Sequence, residues 1–153
     1  MSKLRLATCL LATAGLMDAA YLTYLKLSLM NQGPGCAFDG CDLVNQSTYA
    51  EFLGVPVALW GFVAYGLVLG LALLWCDARG KWQSWLGWAI VVVSGWGVLF
   101  SAYLTAVEVL VLHAVCPFCL ISAGLMVAIF AVAVAEMSGI PSMRRGHPSD
   151  APA

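Results

Sequence analysis

The chain has 153 residues, 62% of them hydrophobic and only 10% charged, with a formal net charge of −1. Soluble domains average about 45–50% apolar and about 25% charged residues, so this composition excludes an ordinary soluble enzyme and identifies an integral membrane protein. The net charge gives no pointer to nucleic acid, and no basic stripe is available to meet a phosphate backbone.

Four stretches reach the roughly 17–25 apolar residues needed to cross a bilayer. Lipid offers no hydrogen bonds to the backbone, so each is expected to be a helix, and none alternates as a membrane barrel strand does. The first covers residues 4–29. Lys3, Arg5 and the Ala12-Thr13-Ala14 run imitate a signal peptide, but the apolar stretch continues well past them and is read as a retained helix. Asp18 falls near its middle, where an ionisable group is costly. It is either functional or a protonated partner for Ser94 or Tyr103 on a neighbouring helix.

A polar loop follows at 30–52, with Cys36 and Cys41 in the turn-rich run Gly33-Pro34-Gly35-Cys36-Ala37-Phe38-Asp39-Gly40-Cys41. The second helix is expected at 53–75 and the third at 85–112. The fourth, at 116–137, opens with Cys116-Pro117-Phe118-Cys119, and residues 141–153 form a polar tail read as disordered. The fold class is therefore all-α and membrane-integral, a four-transmembrane-helix bundle capped by one extramembrane loop.

Lys3, Arg5, Arg79, Lys81, Arg144 and Arg145 share one side of such a bundle, which the positive-inside rule assigns to the cytoplasm together with both termini. Lys26 breaks the pattern and is expected to snorkel outward. Of the six cysteines, Cys9 and Cys76 fall toward the cytoplasmic face, an unmatched pair expected to pack as small apolar side chains. Cys36, Cys41, Cys116 and Cys119 fall on the outer face, where disulfides persist.

Those four suggest a dithiol–disulfide relay. A thiolate at the start of a helix is stabilised by the free N–H groups there, and Pro117 suits a first turn that needs no N–H. At the membrane end of a lipid-embedded helix, this pair can meet a lipid-soluble oxidant, for which quinone is the natural candidate. Zinc binding by the four cysteines and two purely structural disulfides are the competing readings. Neither accounts for a Cys-Pro-Phe-Cys run built into the lipid boundary, and no metal is expected. Glu108 and His113 lie just before that run as candidates for quinone protons, His113 being preferred. Trp60 and Phe118 are expected as pocket walls, and Trp82, Trp85 and Trp88 as an interfacial belt. Gly61, Gly66, Gly70, Gly95 and Gly97 are expected to permit close helix contact.

These residues resemble the vitamin K epoxide reductase family in its bacterial form, from the first helix through the fourth. The resemblance is carried by Cys36, by Cys41-Asp42-Leu43-Val44-Asn45-Gln46-Ser47, by Phe52-Leu53-Gly54-Val55-Pro56 and by His113-Ala114-Val115-Cys116-Pro117-Phe118-Cys119. It implies a bundle around a quinone, capped by the loop and a short amphipathic segment near Ser47 to Phe52. It further implies that Cys36 forms the mixed disulfide with a partner, that Cys41 resolves it and exchanges with Cys116, and that Cys119 faces the quinone. Ser47 matches a serine that orders the site.

Two departures shape the expected function. No thioredoxin-like domain follows the fourth helix, so the partner is expected to be a separate periplasmic thioredoxin-fold thiol oxidase of the DsbA type. Ala123 stands where the animal enzymes carry a tyrosine, so quinone reduction rather than epoxide reduction is expected. The sequence thus describes a quinone-dependent thiol oxidoreductase of the bacterial inner membrane, drawing on the membrane pool of ubiquinone or menaquinone. A thiol-reductant conduit and a structural or zinc-stabilised subunit are the alternatives.

Overall fold

The computed structural model describes residues 3–31 and 39–139. Helix α1 spans Lys3–Met30 and a short α2 spans Asp39–Gln46. A 3-10 turn at Thr48–Ala50 leads into a two-stranded hairpin, β1 (Glu51–Phe52) and β2 (Val55–Pro56). Helices α3 (Val57–Asp77), α4 (Lys81–Val107) and α5 (Pro117–Met137) complete the chain, and α4 runs on through a π-helical segment at Glu108–Leu112. Four helical spans are long and apolar enough to cross a membrane: Lys3–Leu29, Val57–Asp77, Lys81–Leu112 and Pro117–Met137. Each is apolar around its whole circumference, as a helix with lipid on one side and protein on the other must be. Leu10, Leu74 and Val92 are accordingly exposed on the outside of the bundle.

The core lies along the bundle axis. Tyr65, Val68, Ala72 and Trp75 of α3 meet Ala12 and Ala19 of α1, Ile90 of α4, and Met126, Ile129 and Ala133 of α5. Gly15 lets α1 approach α3, since a Cβ there would overlap the Tyr65 ring. Gly95 and Gly97 admit Phe130 and Met126 of α5 in the same way, whereas Gly61, Gly66 and Gly70 leave ordinary room for a methyl group. At the end of the bundle that holds the start of α1, Arg5 ties three helices together. Its Nε pairs with Glu136 at 3.1 Å, and its Nη1 donates to the Trp75 carbonyl at 3.2 Å.

Several element boundaries differ from those the sequence suggests. The second spanning helix starts at Val57 rather than at 53, because Leu53 and Gly54 take positive φ values of 56° and 75° as the two-residue turn of the hairpin. The third starts at Lys81, its polar first turn being helical although it is not apolar. In the fourth, Cys116 is the N-cap and Pro117 the first helical residue. The amphipathic segment of the cap is Asp39–Gln46, upstream of the expected Ser47–Phe52, so Cys41 sits on a helix and not on a turn. Cys36 and the tail at 141–153 lie outside the described residues.

Candidate functional site

Three of the four cysteines expected on the outer face converge where α5 begins. Cys116 caps α5, and its Sγ accepts a hydrogen bond from the Cys119 backbone N–H at 3.3 Å. The Cys116 thiol is lowered to about 7 from an ordinary 9.0, chiefly by hydrogen bonding from the Cys119 thiol. The Cys119 N–H and the Cys41 thiol add to this, while burial and the nearby Glu108 carboxylate oppose it. A helix start is where such stabilisation is expected.

Cys41 reaches Cys116 because α2 lies directly over the turn that precedes α5. Both sulfurs are fully buried in one cluster with Leu22, Leu25 and Val44. The close approach depends on Gly40, where a Cβ would stand 2.6 Å from the Val115 carbonyl oxygen. One turn along α2, the Asn45 side-chain amide donates to the Cys41 carbonyl at 3.0 Å and contacts the Cys41 Sγ at 3.5 Å.

Glu108, the weaker of the two proton candidates in the sequence, occupies the place expected of His113. Its side chain is buried, its Oε2 accepts the Cys116 N–H at 3.2 Å, and it also interacts with the Cys119 thiol. The π segment that starts at Glu108 ends in a left-handed His113 (φ 50°), which turns that side chain out to an exposed position beside the Val111 carbonyl. A π segment of this kind commonly marks a functional site, and no spacing pattern in the sequence announces it.

A cavity of about 740 Å³ opens below this cluster. Its walls are overwhelmingly apolar, and its polar lining includes Lys26, Asn45, Ser47, Glu108, Cys119 and Ser122. Trp60 lines it too, with its indole N–H 3.3 Å from the Phe52 carbonyl. Ser47 donates its hydroxyl to the Val44 carbonyl at 2.7 Å, finishing α2 while facing the cavity. Phe118 and His113 do not line this cavity; Phe118 instead packs against Tyr21, with ring centroids 5.1 Å apart.

Three other sequence expectations change. Lys26 does not snorkel outward: it is buried, donating to the Asn45 carbonyl at 2.6 Å and pairing with Glu51 at 3.3 Å. Asp18 faces Ser122 rather than Ser94 or Tyr103, because α1 packs chiefly on α3 and α5. Ser94 bonds back to the Ile90 carbonyl, and Tyr103 is exposed. Cys9 and Cys76 are a matched pair, with sulfurs 3.7 Å apart between α1 and α3 at the end of the bundle remote from the cap.

The description "Vitamin K epoxide reductase family" belongs to a family model that matches residues 6–134. A thiol-disulfide oxidoreductase from Arabidopsis thaliana is 42% identical over 59 residues, which is 37% of this chain. The match spans 15% of that curated relative's length. The family match takes in the described thiol cluster and most of all four membrane-length helices, so the chain is a multi-pass membrane protein that belongs to the vitamin K epoxide reductase family.

Proposed function

We propose that the chain is a quinone-dependent thiol oxidoreductase of the bacterial inner membrane that reoxidises a periplasmic thioredoxin-fold thiol oxidase of the DsbA type. The observation that carries this reading is a division within one pair: Cys116 packs against Cys41, while Cys119 lines an apolar cavity beside Glu108. One sulfur is placed for exchange with the cap and the other for chemistry inside the bundle.

The partner's thiolate attacks Cys36 of a Cys36–Cys41 disulfide, and the bonding pair leaves on Cys41. The Cys41 thiolate then attacks Cys116 of a Cys116–Cys119 disulfide, and the pair moves to Cys119. The partner's second thiolate closes the partner disulfide and releases Cys36, whose thiolate displaces Cys116 from Cys41 and restores Cys36–Cys41. The Cys116 thiol, lowered to about 7, ionises readily whenever the pair is reduced. A quinone supplies an acceptor for two electrons and two protons, which balances oxidation of one dithiol. The cavity suits such a group: its volume is within the usual ~300–1,000 Å³ range, its walls are apolar, and polar groups gather toward the cap. Ser47 and Trp60 would hold the ring, and Glu108 would hold a proton next to the Cys119 sulfur.

Orientation follows from charge. Lys3, Arg5, Arg79 and Lys81 gather at the remote end, which by the positive-inside rule supports a cytoplasmic face there. The single exception, Lys26, is neutralised by Glu51 inside the cap and so does not act as a free loop charge.

The pairing of Cys9 with Cys76 lends weight to a second reading, a conduit passing reducing equivalents outward. Against it, α1 rises about 25 Å between Cys9 and Lys26 at ~1.5 Å per residue. No thiol among the described residues bridges that gap.

The deciding experiment is anaerobic quinone reduction by the purified protein, driven by a reduced DsbA-type partner. Wild type should consume quinone and Cys119→Ala should not. Cys36→Ala should fail with the protein partner yet work with a small dithiol. A wild-type protein that leaves quinone untouched overturns the reading.

A further inference from the structure

Exchange through Cys41 requires its sulfur to carry negative charge twice, first as a leaving group and then as a nucleophile. That sulfur is fully buried, and a buried anion is costly without hydrogen-bond donors. One donor that the fold supplies is the Asn45 side-chain amide, 3.5 Å from the Cys41 Sγ and itself buried. Asparagine is a poor helix former, so its place on the eight-residue α2 is not explained by local propensity.

Asn45 is in turn held by a buried charge. Lys26 reaches from α1 to donate to the Asn45 carbonyl at 2.6 Å, and Glu51 of β1 balances it at 3.3 Å. Burying an ammonium costs several kcal/mol unless it is paired and hydrogen-bonded. A solvent-facing lysine three residues from the end of the span would avoid that cost. Pulling inward, Lys26 joins three elements at one point: the first spanning helix, the helix that carries Cys41, and the hairpin.

We propose that Asn45 is a catalytic residue of the exchange step, its amide N–H stabilising the Cys41 thiolate, and that Lys26 is the positioning residue that fixes Asn45 over the sulfur. This rests on the relay described above. In the step concerned, the Cys41 thiolate attacks the Cys116 Sγ, the Cys41–Cys116 bond forms, the Cys116–Cys119 bond breaks, and the electron pair settles on Cys119. No electron is gained or lost overall, and the Asn45 proton stays on nitrogen throughout.

The test uses full-length protein in a Cys36→Ala background, which prevents a Cys36–Cys41 disulfide. The Cys116–Cys119 disulfide is formed with diamide, and the appearance of the Cys41–Cys116 disulfide is followed by acid quench and peptide mapping. Loss of a hydrogen bond to a charged group should slow that step roughly tenfold to a hundredfold in Asn45→Leu. Asn45→Asp, which keeps the shape but replaces the donor by a charge, should be slower still. Lys26→Met should also slow it and Lys26→Arg should restore it. Exchange at the parental rate in Asn45→Asp overturns the proposal and leaves the relay standing. Absence of the Cys41–Cys116 disulfide in the parent itself overturns the relay, and the proposal with it. Should Asn45→Leu fail to fold, the isosteric Asn45→Asp and the Lys26 pair still decide the matter.

Discussion

The Glu108 carboxylate accepts the backbone N–H of Cys116 at 3.2 Å, so the last turn of the third spanning helix holds the first residue of the reactive pair. The same side chain lines the cavity and interacts with the Cys119 thiol. One carboxyl group therefore touches a buried amide that needs an acceptor and a thiol whose oxidation must release a proton.

Glu108→Gln separates these two roles. The amide oxygen still accepts the Cys116 N–H, but the side chain no longer exchanges a proton at the cavity. Quinone reduction should fall by about 10²-fold or more, while formation of the Cys41–Cys116 disulfide should be retained. Glu108→Leu removes the acceptor as well and should cost about 1–3 kcal/mol of stability, for a buried donor left unpaired. Steady-state assays beside thermal melts distinguish the two variants. Full quinone reduction in Glu108→Gln, with loss only in Glu108→Leu, would mean that Glu108 acts only as a structural acceptor.

The acidity of Cys116 gives a pH prediction with a definite sign. Its thiol is lowered to about 7, so the thiolate prevails above that pH and is lost as pH falls through it. In protein retaining only Cys116 and Cys119, thiolate absorbance should rise with a midpoint near 7. Because the Cys119 thiol is the largest cause, Cys119→Ala should return the midpoint toward the ordinary 9.0. A midpoint already at 9.0 with Cys119 in place would contradict the geometry.

How legible all this was in the sequence depends on the range of the interaction that decides each feature. Span number follows from apolar run length, a local property, and four membrane-length helices form as that property requires. The start of α5 is equally local, since a Cys-Pro pair fixes both cap and first turn. The hairpin at Leu53 and Gly54 was hidden because leucine rarely takes positive φ. The inward turn of Lys26 and the adjacency of Cys9 and Cys76 are fixed by helix packing alone, over separations no periodicity reports. Glu108 displaces His113 because the π segment changes the helical phase within a run that otherwise reads as uniform helix.

Gly40 offers a test of the cap's seating. A methyl group there meets the Val115 carbonyl oxygen at 2.6 Å, so α2 must lift away from the turn before Cys116. Misplacement on the scale of 1 Å costs about 10²-fold in a geometry-dependent step. Gly40→Ala should therefore slow Cys41–Cys116 exchange by that order. Reduction of quinone by a small dithiol acting directly on Cys116 and Cys119 should survive. Quenched-flow trapping of the mixed disulfide beside dithiol-driven turnover reads both outcomes, and parallel loss of the two would place the effect on folding.

The Cys9–Cys76 pair offers a test of the direction in which electrons run. Its sulfurs lie 3.7 Å apart at the end of α1 and α3 remote from the cap. If electrons pass from a periplasmic dithiol to the membrane, nothing in the relay needs this pair. The double variant Cys9→Ala, Cys76→Ala should then turn over partner dithiol and quinone at the wild-type rate. If instead the protein carries reducing equivalents outward, the pair is the only described dithiol at the remote end, and its loss should abolish transfer to the outer cysteines. Assaying the double variant in proteoliposomes, with dithiol supplied to one face at a time, separates the cases. Activity driven from the cap face and indifferent to Cys9 and Cys76 fits a chain whose buried carboxylate, lowered thiol and apolar cavity all gather at that one end.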